Sequence, residues 1–260
     1  MARLMRMARL GRRMRLERLG VPVAFLVLFV LGGCLYPNAR TTSEGDLWRD
    51  VTTVERAVQA YVERQGILPV ARPEKAIDPI EGAPIDMSAL YPDWLNPIPS
   101  SAFERGGVYR YMAVPVGDGF AVRLADLRIL SAVERVQRAV QAYVEVNGRL
   151  PSGEAKGPSE LTIDYASLAL NEPVLTSPYS GHALSLLMTP KGRVFVDYLL
   201  DLALLRQAVT AEGRAVDGDG DARRLFIDRT LFVPVASVPL VWHGEEPEVR
   251  LGDSEDSSPK

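Results

Sequence analysis

Residues that most often carry chemistry are scarce in this chain. Its 260 residues include one cysteine and two histidines. A single thiol cannot close a disulfide within the chain. Neither His182 nor His243 has a second His or Cys at ligand spacing, which argues against a zinc site. No Gly-x-Ser-x-Gly elbow and no phosphate-cradling loop occur, so the motif-bearing hydrolases and P-loop enzymes are set aside. Aromatic residues make up 7%. No apolar run reaches the about 20 residues of a membrane-spanning helix. Acidic residues outnumber basic ones after the first 33 residues. Those 33 hold seven arginines against one acid, so the remaining 227 stand at −9 where the whole chain stands at −3. A surface this acidic does not suit nucleic acid, whose phosphates must be neutralised by Lys and Arg.

What is present begins with that basic segment. Residues 21–33 follow it, apolar and uncharged, and end in Leu31-Gly32-Gly33-Cys34. As a helix the run would rise roughly 20 Å, against a hydrocarbon core of ~30 Å. A positive stretch, a short apolar stretch and small residues before a cut site form the pattern of an export signal. The last four residues resemble the lipobox of bacterial lipoproteins. That resemblance implies a diacylglyceryl group on the Cys34 thiol, recognition through Leu31, Gly32 and Gly33, and cleavage before Cys34. Two or three acyl chains anchor a protein stably where one does not. Met14 would open a signal of more ordinary length than Met1 does.

The chain then repeats itself. Arg56-Ala57-Val58-Gln59-Ala60-Tyr61-Val62-Glu63 recurs as Arg138-Ala139-Val140-Gln141-Ala142-Tyr143-Val144-Glu145. Gly66, Leu68 and Pro69 match Gly148, Leu150 and Pro151 at the same offset. Ile85-Asp86 is echoed by Ile163-Asp164, and residues 117–122 by 192–197. A repeated unit is one supersecondary motif used twice.

Each copy opens with apolar residues at helical spacing, closed by a glycine and then a proline. Strand patterns follow at 108–116 and 120–124, and again at 183–188 and 194–198. A third helix is expected at 199–212. Residues 225–227 and 232–242 read as edge strands, interrupted by Pro234 and Pro239. The fold class is therefore α+β: two tandem modules of a helix plus an antiparallel hairpin, a third helix, and short C-terminal strands. The expected layout is a signal at 1–33, a tether at 34–50, a first module at 51–127 and a second at 128–201. A C-terminal helix and strands fill 202–243, and a disordered acidic tail fills 244–260.

Asp217, Asp219 and Asp221, with Asp228 at the twelfth position, mimic a calcium loop. Ala222 stands where the sharp turn wants glycine, Arg223 and Arg224 follow, and Asp228 lacks the reach of a bidentate Glu. A solvated turn is the simpler reading. Asp197 and Asp201 lie four apart, with Asp201 expected near a helix N-terminus, where a carboxylate is favoured. No cofactor is expected.

Two resemblances extend beyond the signal. The order helix, Gly-x-Leu-Pro, loop, Pro-Tyr-Ser-Gly, hairpin in each half resembles the soluble domains of type II secretion pseudopilins. Cys34-Leu35-Tyr36-Pro37, Glu104-Arg105-Gly106-Gly107-Val108-Tyr109-Arg110-Tyr111, Ser177-Pro178-Tyr179-Ser180-Gly181 and Phe232-Val233-Pro234 resemble YphF-type lipoproteins of spore-forming Gram-positive bacteria. Members of that group are often labelled periplasmic-binding proteins of ABC transporters. The resemblance implies a membrane lipoprotein held at the extracytoplasmic face. It is expected to be a non-enzymatic module that binds an envelope protein, or alternatively a ligand-capturing component of a transporter.

Overall fold

The computed structural model describes residues 43–71, 78–157, 159–216 and 220–250. The two long helices are α1, Glu44–Gln65, and a second numbered α3 below, Leu127–Asn147. Both start on a side-chain cap: the Ser43 hydroxyl accepts from the Asp46 N–H, and the Asp126 carboxylate accepts from the Arg128 N–H. Both stop at a left-handed glycine. Gly66 (φ 73°) and Gly148 (φ 65°) each donate their N–H back to a carbonyl four residues earlier, at 2.8 Å. A left-handed φ costs glycine nothing, so these positions end the helices cleanly. α1 begins seven residues earlier than the tether of 34–50 allowed. Ser43 caps it, Glu44 and Asp46 favour the positive helix end, and Leu47 extends the buried stripe of Val51, Val54 and Val58.

After α1 come β1 (Ala83–Pro84), the one-turn α2 (Met87–Leu90), and the hairpin of β2 (Tyr109–Val116) and β3 (Gly119–Asp126). After α3 come β4 (Ser152–Gly157), β5 (Glu160–Ile163), the small pair β6 (Leu175–Thr176) and β7 (Ala183–Leu184), and the hairpin of β8 (Leu186–Met188) and β9 (Val194–Val196). The sheets run β1-β2-β3 and β4-β5-β8-β9, antiparallel throughout.

Backbone pairing carries the duplication. Asp86 N–H donates to Pro69 C=O at 2.8 Å, and Asp164 N–H donates to Pro151 C=O at 2.8 Å. Val70 bridges Ile85 as Ser152 pairs with Ile163. Ala83 faces Ala113 as Leu161 faces Met188. The echo of 117–122 in 192–197 does not carry into the return strand. Ala113 pairs with Val122, but its counterpart Met188 pairs with Val194. The second hairpin is shorter, so its return strand is reached sooner.

The two long helices pack into two different cores, the larger of which also takes in Ile80, Met112, Val114 and Ala125 of the first repeat. α1 lays Leu47, Val51, Val54 and Val58 on Tyr111, Val122 and Leu124. α3 lays Ile129, Val133, Val136 and Val140 into a larger cluster with Met188, Phe195 and Val196. Tyr179 packs against both cores and stacks on Phe226 with ring centroids 4.1 Å apart.

The C-terminal region departs most from expectation. α4, Leu199–Ala211, forms as foreseen. Residues 225–227 are not a strand but the centre of α5, Arg224–Arg229, with Leu225, Phe226 and Ile227 all buried. A short continuous apolar run cannot distinguish a buried strand from a buried helix. Of residues 232–242, only Leu240–His243 form a strand, β10, which pairs with β11, Glu246–Val249. Residues 244–250 are thus a hairpin rather than tail. The Arg206 guanidinium covers the Trp242 ring at 4.5 Å, and Val249 is buried. The rest of that tail lies outside the described residues.

Residues 231–238 form a strap across both sheets. Leu124 N–H donates to Leu231 C=O at 2.8 Å, and Val233 N–H returns to Leu124 C=O at 3.0 Å. Val196 N–H donates to Ala236 C=O at 3.0 Å. The strap covers β3 at one point and β9 at another, with Pro234 between them. A proline there forfeits no ladder bond.

Candidate functional site

Two features of the structure depart from a plain packed core. One is an open groove of about 280 Å³ in the second repeat, lined by Lys156 of β4, Thr162 of β5, Ser185 and Leu187 beside and within β8, and Tyr165 and Glu172 of the following loop. Lys156 Nζ is held by Asp197 Oδ2 at 2.5 Å. The Tyr165 hydroxyl is buried and has no hydrogen-bond partner among the described residues. Burial, and then the charge of Glu172, pushes its pKa up to about 12. The loop that walls the groove holds Ala169 at φ 51°, a left-handed conformation costly for a residue with a Cβ. Val174 of the same loop is 97% exposed. Of these three residues, Tyr165 lines the groove.

The other feature is a buried charged junction. Arg223, just ahead of α5, has its side chain 3% exposed. Its Nη1 donates to Asp78 Oδ2 and to Ser237 Oγ, both at 2.8 Å, and its Nη2 donates to Asp221 Oδ2 at 2.6 Å. Its Nε also donates to Asp221 Oδ1 at 3.0 Å, so two carboxylates and a hydroxyl hold the buried guanidinium. Arg193 Nη2 donates to Ser237 C=O at 3.1 Å. Glu81 lies beside them, part exposed. Burial first, then the charge of Asp78, pushes its pKa up to about 7, while Arg223 and Arg193 pull it back. Ala236 sits at φ 54°. That left-handed turn offers its C=O to the Val196 N–H.

The serines of the Ser177-Pro178-Tyr179-Ser180-Gly181 turn are committed internally. Asp201, in the first turn of α4, is buried, and its Oδ1 accepts from both the Ser177 and Ser180 hydroxyls. Ser177 Oγ also accepts the N–H groups of Tyr179 and Ser180. Burial raises the Asp201 pKa, and the two serine hydrogen bonds oppose that rise. The arrangement fastens the turn to α4 and aims Tyr179 between the two cores. The hydroxyl protons point to Asp201; His182 is exposed.

Asp221, one residue of the calcium-like run, binds Arg223. Asp228 lies exposed on α5. Asp217 and Asp219 lie outside the described residues, as do Leu31, Gly32, Gly33 and Cys34. Among the described residues no group of three or more His, Cys, Asp and Glu is placed to hold a metal. Asp197 accepts the Leu199 N–H at the start of α4, besides holding Lys156. Sequence reading missed the Glu81–Arg223 junction. Its members are scattered from 78 to 237, and no local pattern joins them.

Neither the curated proteins nor the solved structures yield a match to the chain. A family model does match, over the stretch from the first turns of α1 to the cap of α3: residues 48–126 are similar to the YphF family N-terminal domain.

Proposed function

We propose that this chain is a lipid-anchored, extracytoplasmic, non-enzymatic binding module of the cell envelope. The observation that carries the reading is the step Leu31-Gly32-Gly33-Cys34, closing an apolar run too short to span a bilayer. Among the described residues no helix is long and apolar enough to cross a membrane, so a lipid on Cys34 would be the attachment. The groups that could serve catalysis support a binding role instead. Asp201 is occupied by two serines, and the guanidinium of Arg223 by two carboxylates. The groove beside Tyr165 is where a partner would sit.

Ligand capture for a transporter is a second reading, for which the open groove of about 280 Å³ beside Tyr165 is the one concavity that could serve among those described. The anchor is tested by detergent phase separation and intact-mass measurement of the membrane protein against Cys34→Ser. Wild type is expected in the detergent phase with an acylated Cys34, and the variant unprocessed at that position. An unmodified thiol in the wild type would overturn the reading. Crosslinking in native membranes then separates the two roles by whether a transporter subunit or another envelope protein is captured.

A further inference from the structure

The motif Glu104-Arg105-Gly106-Gly107-Val108-Tyr109-Arg110-Tyr111 lies at one end of the first repeat, the end where α1 starts. Just ahead of it, Ser101 Oγ donates to Asp50 Oδ2 of α1 at 2.5 Å, and the Ser101 carbonyl accepts the Tyr109 N–H at 3.2 Å. The Val108 carbonyl accepts the Leu127 N–H that opens α3, at 3.0 Å. The loop is therefore fixed between the early turns of both long helices.

That loop is packed too tightly to fold its apolar side chains inward. Gly106 takes φ 81°, and a Cβ on Gly107 would stand 2.1 Å from Ser101 O. Ala102 beneath it is fully buried, yet Phe103 is 55% exposed and Val108 38%. Trp48, in the second turn of α1, is exposed as well. The Arg110 guanidinium lies 5.8 Å from the centroid of the Phe103 ring. Arg49 and Arg128 are paired with Asp46 and Asp126, whereas Arg105 and Arg110 have no carboxylate partner among the described residues. Glu44 and Glu104 are exposed here too, so net charge is not the attraction. Exposed apolar side chains beside arginines suit the boundary of a bilayer, where rings lie at headgroup depth and guanidiniums meet phosphates.

The chain itself limits how far this end can stand from lipid. Cys34 precedes Ser43 by nine residues, a reach of about 30 Å when fully extended. An acylated Cys34 keeps the start of α1 within that distance of the bilayer. We infer that this end of the first repeat rests on the membrane surface, with Phe103 and Val108 at headgroup depth and Arg105 and Arg110 at the lipid phosphates. The inference rests on the lipid anchor proposed above. It adds which face of the protein the membrane covers, and so leaves the groove of the second repeat to other partners.

Spin labelling of the lipidated full-length mature protein tests it, in vesicles of equimolar phosphatidylcholine and phosphatidylglycerol. With the Cys34 thiol occupied by lipid, an introduced cysteine takes the nitroxide alone. Glu104→Cys puts the label beside Phe103. Val146→Cys is the control: it is 84% exposed and lies on the last turn of α3, roughly 30 Å along that helix from the loop. On reconstitution the label at 104 is expected to gain collisions with oxygen and lose collisions with a water-soluble nickel chelate, while the label at 146 keeps its aqueous values. Adding Phe103→Ser to Glu104→Cys should remove most of that shift. Protein that floats with the vesicles while its two labels behave alike overturns the inference and leaves the anchor standing. A shift that survives Phe103→Ser also overturns it. Protein that neither floats nor carries a modified Cys34 overturns the anchor and the inference together.

Discussion

Glu55 and Gln137 occupy the same place in the two repeats and make the same contact. Glu55 Oε2 accepts the Val122 N–H at 2.8 Å, and Gln137 Oε1 accepts the Val194 N–H at 2.7 Å. Each side chain reaches from a long helix to the return strand of a hairpin, one residue before the octapeptide that the repeats share. The shared helix sequence therefore holds its sheet by a shared bond, even though the two hairpins differ in length. The contact also shows what the repeat requires at this position: a carbonyl-type oxygen at the end of a two-carbon arm, charged or not.

Glu55→Gln should accordingly leave stability within about 0.5 kcal/mol of wild type, since the amide oxygen can still accept. Glu55→Ala strands the Val122 N–H and should cost about 1–3 kcal/mol. Urea denaturation of both variants checks this. Equal losses would mean that the charge, not the acceptor, matters.

Arg223→Met should cost about 3–5 kcal/mol, because Asp78 and Asp221 would keep their charges with no buried cation between them. Adding Asp78→Asn and Asp221→Asn to the same chain should recover most of that loss. Thermal or urea unfolding of the single and triple variants measures it. A single variant as stable as wild type would show that the junction is hydrated well enough to do without the guanidinium.

Tyr165→Phe should be neutral or stabilising by up to about 1 kcal/mol, since it removes a buried hydroxyl that has no partner among the described residues. Tyr111→Phe is the control. Its hydroxyl is paired with Ser101 Oγ at 2.7 Å, and its loss should cost about 1 kcal/mol. A destabilisation of Tyr165→Phe as large as that of the control would show that its hydroxyl is partnered.

Much of the framework was legible because it is local. Gly66 and Gly148 close their helices as their conformational freedom suggests, and Pro69 and Pro151 follow them. The α+β class, the first hairpin and the third helix could be read from periodicity and turn residues. The misreadings share a cause. Leu225-Phe226-Ile227 is buried on all sides as a helix, and three apolar residues carry no period by which to tell helix from strand. Residues 246–249 are acidic and look like tail, but they are ordered as a strand by pairing with β10. The start of α1 was placed late because Ser43 and Glu44 look like linker until their capping role is seen.

The amino-acid sequence by itself determined the repeated unit, the ends of the long helices and the apolar stripes they carry, since these depend on neighbours within a few turns of chain. Only the tertiary structure decided that residues 231–238 strap both sheets and that Arg223 is enclosed by Asp78, Asp221 and Ser237. Those relationships join residues up to 145 positions apart. What sets their energy is desolvation and close contact, and neither exists until the chain has closed around them.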